Sequence, residues 1–227
     1  MPAGLSRRQP LDPSGFGFRR DAWPLPAGRQ DLRGLFGPAA DQRLLELELG
    51  PGKGTFLVQH APTRPDRLFV GIEWASPFFR FAADRARRLN LENVRVVRDD
   101  GTLLLRDCVA DQSVAQFHWY HPDPWPKKKH WRRRSFQSPF LRELHRVLMP
   151  ADPARDDIGR IRVQTDHPGY FSWMLDEVLK VGDLYRVLPF ERPAWAKAGE
   201  SLGTNFERKY RDKASMYGMI LERKPAR

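Results

Sequence analysis

The sequence predicts one α/β domain built on a mostly parallel, doubly wound sheet, and three observations predict it. From Leu44 onward, short apolar runs alternate with amphipathic stretches. The first run leads straight into a glycine-rich turn, Gly50–Gly54, of the kind that carries a chain from a strand into a helix. No segment of the chain repeats at a fixed period, which sets aside solenoids and propellers.

The elements follow in order. Leu44–Leu49 reads as the first strand, and a helix runs from the glycine turn to about His60. Leu68–Ile72 is the next strand, and Ser76–Leu89 is helical with arginines on one face. Val94–Val97 and Val114–Trp119 are the third and fourth strands. Ser135–Leu148 is an amphipathic helix, with Phe136, Phe140, Leu144, Val147 and Leu148 on one side. Arg160–Thr165 is a fifth strand, followed by a helix over about Tyr170–Lys180. Pieces near Leu184–Leu188 and Met216–Glu222 bring the sheet to about seven strands. Ala151–Gly159 is polar and reads as a surface loop. Residues 1–36 hold several prolines and glycines with no sustained period. They read as a basic, partly disordered arm, and residues 37–227 as the domain proper.

Composition narrows the function. The formal net charge of +11 points to a polyanionic partner such as nucleic acid or an acidic membrane surface. No apolar stretch reaches the length of a membrane span, and the N-terminus lacks the apolar segment of a signal peptide. One cysteine, Cys108, allows neither an internal disulfide nor a cysteine metal cluster, which fits a reducing compartment. Cys108 itself is expected to be a packed thiol rather than a nucleophile.

In a doubly wound sheet, ligands sit outside the carboxyl ends of the strands. The first strand ends in Glu48, and Gly50, Gly52 and Gly54 follow at alternate positions. A dinucleotide fold would put its third glycine where Thr55 stands, and no phosphate-binding lysine motif is present. Glu73 ends the second strand, where a carboxylate can accept from both hydroxyls of a ribose. Asp100 follows the third strand, within reach of an adenine amino group. Glu48 at a buried strand end needs a cation, which an amino-acid ammonium would supply. Taken together, the glycines and the three acids point to a nucleoside cofactor.

Past the fourth strand comes Tyr120-His121-Pro122-Asp123-Pro124-Trp125-Pro126-Lys127-Lys128-Lys129-His130-Trp131-Arg132-Arg133-Arg134. Three prolines around Asp123 restrict its backbone and hold the carboxylate in one direction. The basic run interleaved with aromatics suits a looped nucleic acid, through phosphate attraction and stacking.

On these residues the chain resembles the tRNA (guanine-N7-)-methyltransferase family over roughly Leu44 to Arg223. The matching pieces are ELGPGKG, VGIE, NVRVVRDDG, PDPWPKKKH, QTD and TNFE. The resemblance implies a Rossmann-like class I methyltransferase fold whose last strand is antiparallel. It also implies S-adenosylmethionine as donor and N7 of a guanine in tRNA, in the variable loop, as acceptor. By that resemblance Glu48, Glu73, Asp100 and Asp123 serve the cofactor pocket, together with Gly50, Gly52 and Gly54, and Asp123 also stands at the catalytic centre. Lys127, Asp166, Thr204, Asn205, Phe206 and Glu207 would contact substrate. Read without the resemblance, Asp166 is a strand-end carboxylate and the Thr204 run a loop before the final strand.

The chain departs from the family pattern in a longer, more acidic Ala151–Gly159, in its N-terminal arm, and at His121, where an apolar or aromatic neighbour is expected. His118 and His121 have no partner acid at suitable sequence spacing, so no metal is expected. The expectation is therefore a cytoplasmic tRNA-modifying enzyme, a monomer or homodimer with or without a partner subunit. The alternatives are a methyltransferase acting on another RNA or on protein, or an inactive RNA-binding protein on this fold.

Overall fold

The computed structural model describes residues 10–40, 42–192 and 215–225. Eight strands form one sheet: β1 (Gly17–Arg19), β2 (Leu44–Leu49), β3 (Arg67–Ile72), β4 (Val94–Arg98), β5 (Gln116–Tyr120), β6 (Arg160–Thr165), β7 (Tyr185–Pro189) and β8 (Tyr217–Arg223). Five helices connect them: α1 (Thr55–His60), α2 (Ser76–Arg88), α3 (Gly101–Cys108), α4 (Ser138–Val147) and α5 (Pro168–Leu179). The sheet order is β1-β4-β3-β2-β5-β6-β8-β7. Only β8 runs against its neighbours, pairing antiparallel with both β6 and β7. The chain moves outward from β2 through β3 to β4, then returns to pair β5 on the other flank of β2. That reversal opens a crevice at the carboxyl ends of β2 and β5, where a sheet of this kind takes its ligand.

The period-2 alternation of the strands explains the two layers. On β2, Leu45 and Leu47 are fully buried in the cluster that includes Leu104, Leu144, Tyr170 and Met174, supplied by α3, α4 and α5. On the other face, Phe69, Val94 and Val96 join Phe56, Phe79, Ala82, Ala83 and Ala86 from α1 and α2. Each large apolar side chain so buried stabilises the fold by about 1.5–3 kcal/mol before conformational entropy is counted. Small side chains at Ala82, Ala83 and Ala86 bring α2 close to the sheet. No helix among the described residues is long and apolar enough to cross a membrane.

Two sequence expectations change here. Over residues 10–36 the arm is not a loose appendage. Gly17 and Phe18 pair with Val96 and Val97, and Leu32 and Leu35 sit in the core. A three-residue strand and 3-10 turns are too short to carry a readable period, which is why composition misled. Gly17 passes so close to α2 that a Cβ would lie 2.9 Å from the Phe79 ring and 3.1 Å from Ala83. The second change is α3, which the sequence reading did not contain. It starts on Gly101, a poor helix former, and is fixed by its cap: Asp100 Oδ1 accepts from the N–H groups of Thr102 and Leu103 at 2.8 and 3.2 Å. The eighth strand is β1 itself.

The acidic loop after α4 also has a structural task. Asp157 pairs with Arg64 at 2.9 Å and with the fully buried Arg67, so a charge that the fold hides is neutralised from this loop.

Candidate active site

The crevice is lined by carboxylates that different strand ends deliver. Gly50 and Gly52 adopt φ of +69° and +53°, and a Cβ built on either meets nothing within 4 Å, so the turn presents bare backbone to open space. Gly52 N–H donates to Glu73 Oε2 at 2.9 Å, and Ala75 N–H donates to Glu73 Oε1 at 2.8 Å. Each oxygen keeps a lone pair for a further donor. Glu48 is 4% exposed, and among the described residues its Oε2 has no hydrogen-bond partner. Burial pushes its carboxyl well above the usual range, and the neighbouring charge of Glu73 pushes it further. Glu73 is raised by burial against the pull of its backbone donors, with the charge of Asp123 adding to the rise. Acids crowded in this way favour a cation placed among them. Asp100 lies at the same end of the sheet, with Oδ1 engaged in capping α3.

Asp123 stands on the rim, exposed, between Pro122 and Pro124. Its neighbours two residues away on either side, His121 and Trp125, have left-handed backbones with φ of +52° and +42°. Such conformations cost roughly 1–3 kcal/mol each and persist where surrounding contacts enforce them. The enforcement is visible. His121 N–H donates to the Gln164 carbonyl at 2.7 Å, and its ring lies 3.8 Å from Asp166 Oδ1. The Arg133 guanidinium stacks over the Trp125 ring at 5.1 Å. His121, which breaks the family pattern, thus ties the end of β5 to the end of β6, where Asp166 stands. Lys127 is exposed and precedes a 3-10 helix, Lys128–Arg133, with no buried residue.

The structure brings Glu48, Gly50, Gly52, Gly54, Glu73, Asp100, Asp123 and Asp166 to the carboxyl end of the sheet, with Lys127 at its margin. Thr204, Asn205, Phe206 and Glu207 lie outside the described residues.

Two residues gain a meaning that sequence spacing did not give them. Arg134, last of the basic run, is buried. Its Nε donates to the Pro124 carbonyl at 2.8 Å, and its Cζ lies 4.5 Å from the Trp131 ring and 4.8 Å from Tyr170 and Trp173. His118 has a partner acid after all. Glu46 on the adjacent strand accepts from His118 Nε2 at 2.8 Å, and Tyr120 Oη lies 2.8 Å from Nδ1. With His60 these residues form a group whose donor atoms fall within 4.8 Å of one another, held together by hydrogen bonds. The signal for His118 was the topology: parallel pairing of β2 with β5 sets Glu46 opposite Gln116, two residues from His118 and on the same face of the sheet.

Comparison with known proteins agrees with this geometry. Residues 42–215 match the model of a family described as putative methyltransferase. A tRNA (guanine-N(7)-)-methyltransferase of Thermus thermophilus is 38% identical over 169 residues, which is 74% of this chain and 49% of the relative. The corresponding protein of Chromohalobacter salexigens is 34% identical, over 73% of this chain and 65% of its own length. That of Levilactobacillus brevis is 30% identical over 78% of each. The chain thus spans about half to two thirds of the length of the first two relatives. Among solved structures, an S-adenosylmethionine-dependent methyltransferase from Aquifex aeolicus superposes with a TM-score of 0.53 at 15% identity, covering 82% of this chain and 84% of that one. At that identity the likeness is one of fold.

Proposed function

The chain belongs to the putative methyltransferase family, among tRNA (guanine-N(7)-)-methyltransferases, and from this membership we propose that it methylates N7 of a guanine in tRNA, in the variable loop, with S-adenosylmethionine as donor. The observation that carries the reading is the buried, unpartnered Glu48 Oε2 beside an open glycine turn and a doubly held Glu73. These residues fit the donor: an orphaned carboxylate for its ammonium, bare backbone at Gly50 and Gly52 for close approach, and free lone pairs on Glu73 for ribose hydroxyls. Asp100 would receive the adenine amino group. When bound, S-adenosylmethionine supplies an electrophilic methyl group on a sulfonium.

Guanine N7 carries an in-plane lone pair and no proton, so this chain need not remove one. What its residues must do is hold the acceptor in line and exclude other orientations. Asp123, directed by its two prolines, would accept from guanine N1–H and the exocyclic amine. As the purine gains positive charge these hydrogen bonds strengthen, which is stabilisation realised in the transition state. Lys127 and the exposed cations after it would hold phosphates on the near side. Asp166, with the Thr204–Glu207 run, would complete the substrate contacts. A tRNA substrate supports a cytoplasmic location for the protein.

The direct test incubates the purified protein with unmodified tRNA and methyl-labelled S-adenosylmethionine, then cleaves the RNA chemically at N7-methylguanine. Label in tRNA with cleavage at a variable-loop guanine supports the reading. Label absent, or placed on another base or on protein, overturns it.

A further inference from the structure

The basic run invites the reading that all six of its cations face phosphate. Five of them do lie on the exposed side, but Arg134 is only 4% exposed. Among the described residues no carboxylate pairs with it, and its Nη1 has no hydrogen-bond partner. A buried guanidinium without a counter-ion is costly, and three aromatic faces within 5 Å offset that cost. The rings come from different parts of the chain. Trp131 belongs to the exposed 3-10 helix, whereas Tyr170 and Trp173 belong to α5, which begins two residues after Asp166. Among the described residues, the one directed bond of this side chain goes to the carbonyl of Pro124, the residue after Asp123.

We propose that Arg134 is a positioning residue: a caged guanidinium that grips the Pro124 carbonyl and so fixes the direction of Asp123 relative to α5 and the Asp166 end of β6. This rests on the reading of Asp123 given above. The peptide that Arg134 holds is flanked by the left-handed Trp125, a conformation that needs outside restraint. Planarity matters here. A guanidinium stacks on the rings while its edge donates, and an ammonium cannot do both.

The test measures single-turnover methylation, S-adenosylmethionine affinity and tRNA affinity for R134A, R134K, W173L and D123A, and for the double variant D123A/R134K. R134A should lower the turnover rate about 100-fold, the scale of an ångström-sized misplacement, with donor affinity within twofold of the parent. R134K should recover about tenfold of that loss, since it keeps the cation–π attraction but not the planar stacking and donating edge. If Arg134 works through Asp123, adding R134K to D123A should cost little more than D123A alone. Normal turnover in R134K and W173L overturns the proposal, and these milder variants serve if R134A does not fold. A loss confined to tRNA affinity overturns it too, by making Arg134 a phosphate contact. Additive losses in the double variant have the same force. Should D123A itself turn over normally, the reading of Asp123 fails, an outcome distinct from any failure of Arg134.

Discussion

Gly52 donates its backbone N–H to Glu73 Oε2 at 2.9 Å, joining the turn after β2 to the end of β3. The carboxylate is thereby fixed before any ligand arrives, which lowers the ordering cost of binding. On the proposed reading, replacing Glu73 by alanine would remove acceptors for both ribose hydroxyls. Hydrogen bonds to a charged group contribute about 1.5–3 kcal/mol, so the donor's Kd should rise roughly 10- to 100-fold. Isothermal titration with S-adenosylmethionine decides this, and an unchanged Kd would remove Glu73 from the pocket.

If Glu48 receives the donor's ammonium as proposed, donor binding should depend on pH. Burial, then the charge of Glu73, raises its carboxyl well above the usual range, so binding an ammonium must expel a proton. Affinity should increase as pH rises through the raised value, and E48Q should flatten that profile. The same group acts on stability with the opposite sign. A raised acid favours the fold below its unfolded pKa, so the ligand-free protein should lose stability as pH climbs from about 4.5 upward. Urea titrations of parent and E48Q across that range would test it; parallel curves would contradict it.

His118 governs the acid side. Burial, the largest influence, holds it at about 4, below its ordinary 6.5, despite the pull of Glu46. A depressed base contributes stability above the unfolded pKa that is lost as pH falls toward the folded one. Between pH 6.5 and 4 the parent should lose up to about 1.4 kcal/mol per pH unit from this residue. H118Q should show a shallower slope, whatever its absolute stability; an equal slope would mean that another group drives acid unfolding.

The exposed cations and the buried one should separate in salt. Each phosphate contact adds about 0.7–0.9 to the slope of log affinity for tRNA against log salt. K128A and K129A should each reduce that slope by about this amount, whereas R134K should leave it unchanged. Filter binding over 50–300 mM salt, about the range in which such slopes are read, would show it. A reduced slope in R134K would place Arg134 against phosphate.

Gly54 and Gly169 give a paired stability test. Gly54 has φ of +66°, and a Cβ there would lie 3.1 Å from that of Ala82. G54A should cost at least about 1–2 kcal/mol from the left-handed backbone alone. Gly169 lies in the first turn of α5 with room for a methyl group, so G169A should be neutral or stabilising by up to about 1 kcal/mol. Equal losses in thermal denaturation would contradict the turn geometry.

The central sheet was readable because its strands are apolar runs bounded by turn residues. Arg160–Thr165 was placed to the residue, and β2 through β5 within two. Local pattern stops being informative where tertiary contact decides. β1 exists because β4 offers it an edge, and α3 because Asp100 caps it. His118 finds Glu46 across 72 residues of chain through strand register, which spacing in sequence does not encode. Arg134 looks like its exposed neighbours in sequence, and only the arrival of α5 shows that it is enclosed. The positions of Glu48 and Glu73 at strand ends were legible for the opposite reason: each closes an apolar run, where a buried carboxylate is costly and needs a partner.

The pairing of β1 with β4 has a consequence for how this molecule stays apart from its own copies. Without Gly17–Arg19, the outer rim of β4 would offer unpaired amides to any passing extended chain, the template from which strand-mediated clumping grows. A shortened protein starting at residue 37 should therefore self-associate with rising concentration even where its interior survives. Light scattering of that truncation beside the parent would reveal the segment as a built-in seal.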